Sequence, residues 1–141
     1  MSTEEQLSTD VKFDGKIVRV RVDAVRLPGG REATREVVEH AASVVVVPVD
    51  SEGNVLLVRQ FRYPVGHSLL EVPAGGVEDG EVSEEAVLRE LQEEIGYTAG
   101  KLQHLSSFWV APGWATEFMH SYLATELRPS RLEADEDENI E

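Results

Sequence analysis

The chain contains no cysteine, which removes disulfide bridges, a thiolate nucleophile and any cysteine-ligated zinc site from consideration. Basic residues are scarce: 13 lysines and arginines face 27 aspartates and glutamates, for a formal net charge of −14. A surface so acidic repels phosphate backbones and anionic lipid, so neither a nucleic acid nor a membrane is an expected partner. No apolar run approaches the roughly 20 residues needed to cross a bilayer. Residues 1–10 are acidic and polar, without the basic start and apolar stretch of a signal peptide. Cytoplasmic residence is therefore the expectation. Internal repeats are also lacking, and the one low-complexity stretch is the acidic end, Glu133–Glu141.

What the chain does have is enough apolar residue, 41% of its 141 positions, to build the core of about one domain. Residues 11–13 and 16–26 alternate apolar and polar types around Asp14-Gly15, a dipeptide suited to a tight hairpin turn. Pro28-Gly29-Gly30 then precedes a second extended run, Ala33–Glu39. Ser43–Val49, with four valines in succession, predicts a strand buried on both faces. Val55–Phe61, Ser68–Val72, Leu102–Val110 and Phe118–Leu127 read as further strands. One long helix is expected, Ser83–Ile95, with Ser83 as its cap, Glu84 and Glu85 near its positive end, and Gly96 as its stop. Many strands around one central helix indicate an α+β sandwich and not alternating βαβ units.

The helix carries the chemistry. At about 100° per residue, Glu94 lies about 40° from Glu90 and Glu93 about 60° to the other side. Val87, Leu88, Leu91 and Ile95 form the neighbouring core stripe, so the three carboxylates border the buried face. Like charges three and four residues apart repel. A divalent cation would reverse that repulsion, and oxygen ligands suit Mg²⁺ or Mn²⁺ better than zinc or copper. Acidic runs on helices are otherwise solvated faces, the plain reading for Glu84-Glu85.

The residues around these glutamates form a longer pattern. Gly75 is followed after five residues by Glu81; seven more lead to Arg89-Glu90-Leu91-Gln92-Glu93-Glu94-Ile95-Gly96-Tyr97. This resembles the signature of the Nudix hydrolases at every specified position but the last, where Tyr97 replaces the usual aliphatic residue. The resemblance implies a Nudix-type α/β/α sandwich with a mixed β-sheet, preceded here by an N-terminal antiparallel β-extension. On that reading residues 1–40 form the extension and residues 41–141 the hydrolase domain. It also implies divalent-metal-dependent hydrolysis of a diphosphate bond. Glu90 and Glu94 would be metal ligands, and Glu93 a ligand or a base. The backbone carbonyl of Ala74 would complete the site, with Mg²⁺ the expected cofactor and Mn²⁺ an alternative. Arg89 would orient a box glutamate by a charge-assisted hydrogen bond. Glu81 and Glu71 would support the loop, Arg89 or the outer metal shell.

Marks outside the box narrow the substrate. Leu70-Glu71-Val72-Pro73-Ala74-Gly75 resembles a stretch of the pyrophosphatases that act on ADP-ribose and related nucleoside diphosphate sugars. Pro112, sixteen residues after Gly96, resembles their proline marker. Val58-Arg59-Gln60-Phe61-Arg62 resembles one of their strands, with Arg62 at a substrate-gripping position, and Arg35 matches a second such arginine. Taken alone, Pro112 is a turn former and Arg62 a partner for any acid. Trp109 and Trp114 are packing residues or stacking platforms. The acidic tail is either a solvated end or the loop that supplies a catalytic base, Glu136 or Glu138.

ADP-ribose is the expected substrate. GDP-mannose, another sugar nucleotide or a nucleoside triphosphate is the alternative within the same chemistry; a non-catalytic ligand sensor is the alternative outside it. Relatives usually continue past the acidic loop with a strand and a helix, which are expected here to be absent or truncated. Cover for the exposed sheet would then come from a second copy, and the N-terminal strands resemble the segment through which such enzymes dimerise. A homodimer is expected.

Overall fold

The computed structural model describes residues 3–133 and residue 140. Two compact units emerge: residues 1–41 with 109–118, and residues 42–108 with 119–141.

The first unit is an antiparallel sheet of β1 (Glu5–Asp14), β2 (Arg19–Arg26) and β3 (Glu32–Glu39), with β2 in the middle. β1 begins well before the alternation visible from residue 11, because charge holds its first half. Glu5 receives a hydrogen bond from Arg26 at 2.7 Å. Asp23, buried on β2, accepts from both Thr9 and Arg21. Opposite charges across neighbouring strands stabilise pairing as apolar pairs do, and an apolar count misses them. The first hairpin is not the tight Asp14-Gly15 turn expected. Asp14 pairs with Arg19 inside the ladder, and Gly15 donates to the Val18 carbonyl at 2.9 Å, closing a longer loop. Gly15 lacks the positive φ that a two-residue turn would demand. Thr116 and Trp114 extend the unit by exchanging backbone bonds with Val38 at 3.0 and 2.8 Å.

The second unit has a mixed four-stranded sheet in the order β7 (Ala74–Gly76), β4 (Ser43–Pro48), β9 (Phe118–Pro129), β8 (Tyr97–Trp109). β4 runs antiparallel to β7 and parallel to β9. A separate ribbon pairs β5 (Val58–Arg62) with β6 (His67–Glu71). The α+β class and the mixed sheet are as expected. β4 differs in one respect: Val44 and Val46 are wholly buried whereas Val45 and Val47 are only half-buried, so one face dominates. The covering element is the helix. Val44 and Val46 meet Ala86, Val87 and Leu91, with Tyr122 and Ala124 of β9 completing the core. Burying each large aliphatic contributes about 1.5–3 kcal/mol.

The helix spans the expected range but changes character part-way. α1 (Ser83–Glu90) is α-helical, and Leu91–Ile95 forms a π-helical turn closed by Gly96 N–H on the Leu91 carbonyl. Gly96 ends it at φ 72°, a left-handed value that costs glycine little. The cap is not Ser83, which is the first helical residue; its hydroxyl lies 2.7 Å from that of Tyr122. Val82 holds the cap position, and the Glu85 carboxylate accepts its N–H at 3.3 Å. Glu85 thus closes the helix start in addition to facing solvent. No helix among the described residues is long and apolar enough to cross a membrane.

Candidate active site

The strand β7 and the helix meet edge-on, and glycine permits the approach. Oε1 of Glu90 lies 1.9 Å from where a Cβ on Gly75 would stand. One residue earlier, Ala74 N–H donates to Oε2 of Glu94 at 3.2 Å. Glu90 and Glu94 are only 5% and 7% exposed. The expected border position has become burial. Two carboxylates under backbone are costly unless charge and hydrogen bonds compensate.

Arg89 supplies that compensation for Glu90, and the Ala74 N–H contributes to it for Glu94. Arg89 Nη1 donates to Glu90 Oε1 at 2.7 Å and Glu93 Oε2 at 3.1 Å. Its Nε and Nη2 grip both oxygens of Glu81 at 3.0 and 3.1 Å, and Nη2 also reaches the Gly76 carbonyl at 2.8 Å. The acids raise the pKa of this guanidinium, Glu81 foremost, so it stays charged throughout. In return Arg89 holds the Glu81 carboxyl below its ordinary value. Glu81 also accepts the Glu78 N–H at 3.0 Å, which shapes the loop before the helix.

The π-helical turn alters the angular arithmetic. Its i→i+5 bonding winds the backbone less per residue than an α-helix, so uniform α-helical spacing does not describe Glu93 and Glu94. Glu93 turns toward Arg89, and Glu94 lies under Ala74. Among the described residues, no three carboxylate or imidazole groups already converge as a finished cation cage. The donor set still fits a hard divalent ion: two buried carboxylates, a third on the shared arginine, and β7 backbone drawn against them.

The other predicted residues fall in two places. Arg62, opposite His67, and Glu71, opposite Val58, reach along the β5–β6 ribbon to form a two-pronged ion pair at 2.8 and 2.7 Å. Arg62 lowers the Glu71 pKa through that bond. Arg35 and Pro112 belong to the first unit. Arg35 is paired with Glu4 at 2.9 and 2.5 Å, and Pro112 is exposed in the turn between β8 and β9. Trp109 and Trp114 are 56% and 59% exposed, and Trp109 packs against the Phe118 ring with centroids 4.7 Å apart. Glu136 and Glu138 lie outside the described residues. Beside Glu94 a cavity of about 450 Å³ opens, lined also by Leu56, Val58, Tyr97 and Arg131. Sequence reasoning passed over Gln92, which occupies an unspecified position of the box yet donates to Ser130 Oγ at 2.7 Å.

A model of the NUDIX domain matches residues 24–141. The chain belongs to the Nudix family. Nudix hydrolases generally need divalent cations, and the box helix is where this member gathers its carboxylates. A model of the nucleoside diphosphate sugar hydrolase N-terminal domain matches residues 4–38. Over 140 residues the chain is 42% identical to an ADP-ribose pyrophosphatase of Bacillus subtilis (strain 168), covering 98% of this chain and 76% of that protein. It is 39% identical to the methanol dehydrogenase activator of Bacillus methanolicus, with the same coverage. An ADP-ribose pyrophosphatase of Mycobacterium tuberculosis is 42% identical over 88% of this chain and 60% of its own length. The crystal structure of an ADP compounds hydrolase superposes with a TM-score of 0.87 at 25% identity, covering 99% of this chain and 75% of that one.

Proposed function

We propose that this Nudix hydrolase cleaves the diphosphate of ADP-ribose, yielding AMP and ribose 5-phosphate. The observation that carries the reading is the Arg89 hub, which gathers Glu81, Glu90 and Glu93 while Glu94 is held beneath Ala74. Burying these carboxylates costs desolvation, and carboxylate oxygens are the donors that a hard, diphosphate-bound cation takes. The names of the relatives and the N-terminal domain match support a nucleoside diphosphate sugar as substrate.

In this reading Glu90 and Glu94 hold Mg²⁺, or Mn²⁺ in its place, with the Ala74 carbonyl completing the set. Such an ion supplies neutralisation of charge on the diphosphate oxygens and activation of water. Arg89 keeps the glutamates aligned between turnovers. Glu93, Glu136 or Glu138 takes the proton from the attacking water. Arg62, Arg35 and Pro112 bind substrate, and Glu71 aims Arg62 by the bond described above. The protein works as a cytoplasmic homodimer joined through the extension of residues 1–40; a monomer of full activity in sedimentation overturns that part.

The test is a panel of ADP-ribose, GDP-mannose and a nucleoside triphosphate in oxygen-18-labelled water with Mg²⁺. ADP-ribose gives AMP and ribose 5-phosphate, the label reports which phosphorus is attacked, and EDTA or Glu94→Gln abolishes turnover. Absence of ADP-ribose turnover with either metal ion overturns the proposal.

A further inference from the structure

The chain following β9 returns to the box helix and fastens to its last turn. Ser130 N–H donates to the Gly96 carbonyl at 2.9 Å, and Leu132 N–H to the Gln92 carbonyl at 3.2 Å. The Gln92 side chain closes the clasp on Ser130 Oγ at 2.7 Å. The last four carbonyls of a helix lack intrahelical partners, and its last turn frays unless something takes them. Here two of the bonded carbonyls, those of Gln92 and Gly96, bracket Glu93 and Glu94. The carboxylates at issue therefore hang from backbone pinned on both sides, within a π-helical turn that is the less regular part of the helix.

We propose that Gln92 and Ser130 are positioning residues for the metal site. They touch neither substrate nor metal, and act by holding the Leu91–Ile95 turn so that Glu93 and Glu94 keep the spacing a cation needs. The inference rests on the reading that the box glutamates bind the cation. A site works when its ligands stay within about 0.5 Å of their working positions. Loss of a supporting bond around metal ligands commonly costs 10–100-fold in affinity, and a bond that acts through backbone belongs at or below the lower end.

The experiment is titration of the full chain with Mn²⁺ alone, reading free ion by electron paramagnetic resonance, beside thermal unfolding in EDTA. Gln92→Ala and Ser130→Ala each weaken Mn²⁺ binding about 3- to 10-fold. The pair together is no worse than either alone, because one bond is lost in all three. Ser130→Thr keeps the hydroxyl acceptor and binds as the wild type does. Unchanged Mn²⁺ affinity in both alanine variants, with only a lower Tm, overturns the inference and leaves the clasp a stabilising contact. Should Gln92→Ala not fold, the Ser130→Ala and Ser130→Thr comparison decides alone. Wild-type protein that binds no Mn²⁺ is a different failure, bringing down the metal reading of the box itself.

Discussion

The carboxylate of Glu90 occupies the space beside Gly75 in which any other residue would carry its side chain: Oε1 stands 1.9 Å, and the carboxyl carbon 2.2 Å, from an ideal Cβ there. Glu90 cannot simply yield, since it is buried and tied to Arg89 at 2.7 Å. Gly75→Ala is therefore expected to push a proposed metal ligand off its place. The outcome is at least a tenfold rise in the Mg²⁺ concentration needed for half-maximal activity, on the scale seen when metal ligands lose their support. A variant with wild-type metal dependence would show that Glu90 does not need this position.

Arg89 binds three box carboxylates at once, and no neutral residue can replace it. Arg89→Met leaves Glu81 and Glu90 with little compensation and is expected to cost about 3 kcal/mol of stability in metal-free buffer. Arg89→Lys keeps the charge but not the fork, and falls between. Urea unfolding of the three proteins in EDTA checks the order; equal stabilities would remove the hub from the account.

The Arg89 bond depresses the Glu81 pKa from its ordinary 4.5. A carboxylate with a lowered folded-state pKa stabilises the fold above its unfolded pKa and ceases to as pH falls through the folded one. In metal-free buffer at pH 7 the wild type should exceed Glu81→Gln by about 1–3 kcal/mol. The gap should close as pH falls below about 4.5. A gap independent of pH between 7 and 3 contradicts the assignment.

Arg62 and Glu71 are both partly exposed, so their pair contributes only about 0–1 kcal/mol to stability. If Arg62 binds substrate, its effect appears in catalysis. Arg62→Ala is expected to raise KM for ADP-ribose about tenfold, a loss of about 1.4 kcal/mol of binding, with little change in Tm. An unaltered KM would confine the pair to bracing the ribbon.

Leu91 is fully buried in the core beside Val44 and Val46, and it opens the π-helical turn. Leu91→Ala should destabilise the fold by about 2–5 kcal/mol through the cavity it leaves. Denaturant titration measures this directly, and a cost under 1 kcal/mol would mean the core can collapse around the gap.

Most strands were legible because alternation and β-branched runs follow from one rule, apolar side chains leaving water. β1 was half hidden because salt pairs such as Glu5–Arg26 hold it, and such pairing depends on a register that no local window contains. The helix showed its full extent, Ser83–Ile95 stopped by Gly96, but not its π-helical end, which becomes visible only when Gly96 N–H reaches the Leu91 carbonyl. Gln92 stayed unseen for a similar reason. Its partner Ser130 is 38 residues away, and the box pattern leaves its position open.

The box, by itself, determined the reaction class, because hydrolysis at a diphosphate needs a fixed set of carboxylates and a glycine at set spacings, and spacing is written in the chain. The tertiary structure alone decided how those groups are held. It buried Glu90 against Gly75, hung Glu94 from Ala74, centred the cluster on Arg89 and pinned the last turn to Ser130. Burial and pairing arise between segments far apart in sequence, from β7, the helix and the strand end that only folding brings into contact.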